Sequence, residues 1–140
     1  MKVTLSDEAR QYMGLFDEET DVSPNDCLVE GDCVVFLIPA GQMADAIGPD
    51  GRIVRRVEKK IGRTVDLIED AETPAAFVEN ALAPAAVRHV TLSEQGGERV
   101  AYVEVPEGDR GVAIGSEGKH IETARKLARR HYDIDDIQLT

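Results

Sequence analysis

The chain has 140 residues, a formal net charge of −11, 42% hydrophobic residues, only 4% aromatics and no tryptophan. That length holds one ordinary domain or two very small ones, with a core built from Val, Ile, Leu and Ala. The longest apolar run, Cys33 to Ile38, is stopped by Pro39, and no apolar signal core follows Met1. A bilayer span needs roughly 20 residues, so a soluble, cytoplasmic chain with no membrane partner is expected. The acidic total speaks against a binder that holds phosphates by bulk charge. A halophilic host, where acidic surfaces keep proteins soluble, is one explanation of it, and the distribution of charge then says more than its sum.

In chain order, Leu5 to Phe16 reads as a helix, with Ser6 as its cap and acids in its first turn. Cys27–Val29 and Cys33–Ile38 read as a hairpin turning at Glu30-Gly31-Asp32. A short helix ends at Gly48, a long one begins near Gly51, and Thr64 to Ile68 reads as a strand. After a boundary around Asp70 to Thr73 the same order returns. Thr73 caps a helix whose first residue is Pro74. Val87–Ser93 and Arg99–Val105 form a hairpin turning near Glu94-Gln95-Gly96-Gly97, followed by a short helix, a long helix and a strand over Ile134 to Leu139. Cys27 and Cys33 lack the spacing of a zinc pair and read as small apolar residues of the first hairpin.

The two halves share a motif at an offset of 67 residues: Ala46-Ile47-Gly48-Pro49-Asp50-Gly51-Arg52 is echoed by Ala113-Ile114-Gly115-Ser116-Glu117-Gly118-Lys119. Val54, Val57 and Ile61 recur as Ile121, Ala124 and Ala128 at the same offset, the apolar stripe of a helix. A short helix and a long one joined through Gly-x-x-Gly need a very tight turn. The first turn of the long helix offers N–H groups that suit a phosphate. One Gly-x-x-Gly is a weak signal; two in the same element order, each preceded by Ala-Ile and followed by a cation, are a strong one. Eleven of the 16 Lys and Arg residues fall on the two long helices or just beyond: Arg52, Arg55, Arg56, Lys59, Lys60, Arg63, and Lys119, Arg125, Lys126, Arg129, Arg130. Most fit the solvated face of an amphipathic helix. Arg52 and Lys119 differ, because a cation in the first helical turn opposes the macrodipole and is relieved by an anion. Asp50 and Glu117 lie inside the loops and read as acids at a helix N-terminus.

On these residues, and on Leu82-Ala83-Pro84-Ala85 and Ile134-Asp135-Asp136-Ile137, the chain resembles the NusA-like proteins of archaea over essentially its whole length. The resemblance implies an α+β chain of two tandem type II KH domains, residues 1–70 and 71–140. Each would run α-β-β-α-α-β, with a three-stranded sheet and helices packed on one face. It implies a non-catalytic transcription factor of elongation and termination that binds single-stranded RNA and contacts RNA polymerase, without cofactor, metal or small-molecule substrate. The RNA backbone would be held by Gly48, Pro49, Asp50, Gly51 and Arg52 and by Gly115, Ser116, Glu117, Gly118 and Lys119, with bases in a groove between the long helix and the third strand. Bacterial members carry a further polymerase-binding domain and an S1 domain, which these residues do not include.

Three other readings compete with this one. Gly111 to His120 looks faintly like a P-loop, but Ala113 replaces the first glycine and His120 the magnesium-binding Ser or Thr. No nucleophile–base constellation emerges, and His89, His120 and His131 read as surface or helix residues. An acidic protein-interaction module docking on polymerase, with weak RNA binding, is the serious alternative. A tandem-KH ribosome-assembly factor would be basic and carry terminal extensions.

Overall fold

The computed structural model describes residues 5–140; the first four, with the start of the stretch read for a signal core, lie outside it. The described residues divide into two compact units between Ala71 and Glu72.

In the first unit, α1 (Asp7–Thr20) starts where the Ser6 hydroxyl accepts the Ala9 N–H at 3.1 Å, with Asp7 and Glu8 in the first turn. It runs four residues past the Phe16 expected from the pattern. The Thr20 hydroxyl donates to the Phe16 carbonyl at 2.8 Å and accepts the Val22 N–H at 3.0 Å, which closes the helix on a buried polar turn. Strand β1 (Asp26–Glu30) pairs antiparallel with β2 (Cys33–Ile38), and β2 pairs parallel with β3 (Thr64–Glu69). The β2–β3 crossover carries α2 (Met43–Ile47) and α3 (Arg52–Ile61).

The register sets Cys27, Phe36 and Leu67 side by side. Cross-strand partners share a face, and on this one Phe16 packs its ring 4.4 Å from that of Phe36, with Ala9, Ala46 and Val57 filling in. Cys27 lies buried in this core, as a small apolar residue would.

The second unit repeats the order. Helix α4 (Pro74–Leu82) is capped by the Thr73 hydroxyl, which accepts the Ala76 N–H at 3.2 Å. Strands β4 (His89–Gln95) and β5 (Glu98–Glu104) pair antiparallel, and β6 (Asp136–Leu139) joins β5 in parallel after α5 (Arg110–Ile114) and α6 (Lys119–Tyr132). Each unit is thus α+β with a mixed three-stranded sheet. Helix α6 has 14 residues against 10 in α3, and its last residue, Tyr132, stacks on the buried Phe77 of α4 at 4.7 Å.

The last strand starts two residues later than its apolar pattern suggests. Ile134 turns fully into the core, while Asp135 exchanges two 2.8 Å hydrogen bonds with the Arg99 backbone. A 3-10 turn, Glu107–Asp109, precedes α5 and carried no signal in the sequence.

Candidate nucleic-acid interface

The Gly-x-x-Gly turns are built alike in the two units. Ala46 and Ala113, fully buried, anchor the short helices, which end where Gly48 and Gly115 donate N–H to the Ala44 and Gly111 carbonyls at 2.9 Å. Gly48 (φ 76°, ψ 172°) and Gly115 (φ 78°, ψ 174°) take a conformation essentially confined to glycine. A Cβ would also collide there: on Gly48 with Ile53 Cγ1 at 2.4 Å, on Gly115 with His120 Cβ at 2.5 Å. The chain then runs left-handed for two residues, through Asp50 and Gly51 in one unit and Glu117 and Gly118 in the other, before entering α3 and α6.

Two details differ from the sequence reading. Asp50 (φ 55°) and Glu117 (φ 57°) are left-handed corner residues and not members of a helical first turn. And the amides at the start of the long helices are partly spent within the turn. Gly51 and Gly118 donate to the Gly48 and Gly115 carbonyls at 3.1 Å, and Arg52 and Lys119 donate to the carbonyls of Pro49 and Ser116. Pro49 has no N–H to offer. The turn's opening to a ligand is therefore its bare, narrow profile at the glycines, with exposed Pro49-Asp50 or Ser116-Glu117 at the tip and Arg52 or Lys119 behind.

Most of the basic residues on and beside the long helices have structural duties the sequence did not reveal. Glu19 on α1 binds Lys60 and, at 3.5 Å, Arg56; the Lys60 hydrogen bond, and then the charges of Lys60 and Arg56, hold its carboxyl below the ordinary value against a desolvation that works the other way. Arg63 reaches Glu8 at 3.5 Å and lies 5.7 Å from the centre of the Tyr12 ring. In the second unit Arg125 binds Glu122, Asp136 at 2.9 Å and the Ile137 carbonyl, and Arg129 donates to the Asp135 carbonyl. Lys119 faces Glu117 at 3.7 Å. Among the described residues Arg52, Arg55 and Lys59 have no protein partner; with Arg56 and Glu58 they border a depression of about 620 Å³ along one face of α3.

Between α6 and β6 of the second unit runs a groove of about 480 Å³, at the position expected for bases. Ile114, Ile121 and Leu139 supply its apolar part, Arg110, Glu117, Glu122, Arg125 and Gln138 its polar edge, with Gly118 at the turn. Ile114 and Val112 on α5 are exposed large apolar residues. His120 belongs to the frame, its Nε2 3.1 Å from the Ala83 carbonyl. Among the described residues no cluster could hold a metal ion and no helix is long and apolar enough to cross a membrane.

A mixed three-stranded sheet with a short helix, a glycine turn and a long helix defines the class of the second unit: residues 74–140 match the family described as NusA-like second KH domain. The protein of Halococcus morrhuae described as probable transcription termination protein NusA is 54% identical over 99% of this chain and 99% of its own length. The protein of the same description from Halobacterium salinarum strain R1 is 54% identical over 100% of both chains. In three dimensions the crystal structure of APE1850 superimposes with a TM-score of 0.84, covering 97% of this chain and 100% of that one, at 23% identity, which speaks to the fold alone. The chain belongs to the NusA family of archaeal transcription termination proteins, a family of transcription factors and not of enzymes. Relatives in two halophiles accord with the acidic composition.

Proposed function

We propose that the chain is a cytoplasmic transcription factor of elongation and termination that binds single-stranded RNA through two tandem type II KH domains, residues 1–70 and 71–140. The observation that carries this reading is the duplicated turn. The same backbone path, glycine-only conformation and left-handed corner occur at Gly48–Gly51 and Gly115–Gly118. A KH module clamps about four nucleotides with such a turn. Gly48, Pro49, Asp50, Gly51 and Arg52, and Gly115, Ser116, Glu117, Gly118 and Lys119, lie along the sugar-phosphate path. Bases enter the α6–β6 groove, where Ile114, Ile121 and Leu139 offer an aliphatic floor and Gln138 hydrogen bonds. With aromatics at only 4%, base contact is aliphatic and polar rather than stacked. RNA polymerase is the protein partner, met by the acidic surface.

The test is a fluorescence-anisotropy titration of a labelled single-stranded RNA of about 12 nucleotides, enough for two such modules. A duplex of the same sequence serves as control, at 0.1 M and at molar potassium chloride. Preference for the single strand that persists at high salt supports the clamp. A folded protein that binds neither RNA refutes it and leaves polymerase docking, checked by pull-down, as the function.

A further inference from the structure

The two turns share a backbone and oppose each other in charge. Between residues 49 and 56 three arginines, Arg52, Arg55 and Arg56, face the single acid Asp50. Between 116 and 123, at the same offset, one lysine, Lys119, faces two acids, Glu117 and Glu122. The reversal is sharpest one helical turn in, where Arg55 and Glu58 of α3 correspond to Glu122 and Arg125 of α6.

The structure amplifies this difference. Arg55 lies over the first turn: a methyl built on Gly51 would sit 3.4 Å from its Nη1, whereas one built on Gly118 meets nothing within 4 Å. Glu58, the acid of that helix face, is occupied by the Val65 N–H at 2.9 Å. At the second turn Lys119 is turned to Glu117, and Arg125 is held by Glu122, Asp136 and the Ile137 carbonyl. Glu117 and Glu122 together line its groove.

From this asymmetry we infer a division of labour: the first turn, through Arg52, Arg55 and Lys59, makes the phosphate contacts, while the second engages its strand through the aliphatic groove and is opposed by its own acids at the backbone. The inference rests on the RNA-binding reading above and adds Arg55 as a phosphate-contacting residue. Released counterions report phosphate contacts as the slope of log affinity against log salt, about 0.7 per contact on a single strand.

The experiment compares charge reversals at matched positions in the full chain, with the same single-stranded RNA over a range of potassium chloride and circular dichroism as the folding control. Arg52→Glu and Arg55→Glu are expected each to weaken binding by about tenfold or more at low salt and to flatten the slope by about one contact. Lys119→Glu should weaken it by less than about threefold, and Glu122→Arg should strengthen it and steepen the slope. Equal losses from Arg52→Glu and Lys119→Glu, or no gain from Glu122→Arg, overturn the division while leaving RNA binding intact. A wild-type chain that binds no RNA overturns both.

Discussion

Gly115→Ala isolates what the glycine turn demands of the fold. The alanine would have to hold φ 78° and ψ 174°, at a strain of about 1–3 kcal/mol for a residue with a Cβ. Its methyl would lie 2.5 Å from His120 Cβ, 2.9 Å from the His120 backbone nitrogen and 3.3 Å from its Cα. Two of those atoms belong to the α6 backbone, so no side-chain rotation relieves the clash, and overpacking adds about 1–3 kcal/mol. Gly118→Ala is the internal control. It stands at φ 74° and ψ 10° with open space around its Cβ and bears only the left-handed cost of about 1–2 kcal/mol. Urea unfolding followed by circular dichroism separates the two. With a denaturant slope of about 1–3 kcal/mol per M, the Gly115→Ala midpoint should fall below that of Gly118→Ala by about 1 M. Coincident midpoints would refute the steric argument for why this glycine is needed.

Two further outcomes are expected. Glu19→Gln removes the acid that ties α3 to α1 through Lys60 and Arg56. Because the folded carboxyl is held below its ordinary value, its contribution is fully present above the unfolded value and is lost as pH falls through the folded one. The melting temperatures of wild type and variant should therefore differ at pH 7 and draw together as the pH is lowered into the acid range, and a gap that does not narrow with acid would assign the effect to something other than the ion pair. Phe77→Ala deletes a fully buried ring stacked on Tyr132 and should destabilise the second unit by about 3–5 kcal/mol, read as a lowered urea midpoint.

Much of this architecture is legible along the chain because its determinants are local. Ser6 and Thr73 announce helix starts, Gly31 and Gly96-Gly97 announce hairpins, and the 67-residue echo marks both turns. The apolar stripe was legible too: Val57, Ile121, Ala124 and Ala128 are buried, while Val54 and Ile61 are half-buried. The ends of elements were harder, since Thr20 extends α1 through a side-chain turn and Asp135 delays β6 through a bond to Arg99, 36 residues away.

The fate of the charges was the least legible. Counting placed eleven cations in two matching windows, and nothing in that count separates Arg56 and Lys60, which meet Glu19 across the helix pair, from Arg52, Arg55 and Lys59, which meet no described partner. By itself the sequence determined the repeat, the glycine turns and the order of elements, because capping, periodicity and backbone freedom act within a few residues. Only the tertiary structure decided which cations remain available to a ligand and that Asp50 and Glu117 stand as left-handed corners. Ion pairing depends on which helices the packing brings within reach, and a residue's handedness at a tight turn depends on where the two helices it joins must go.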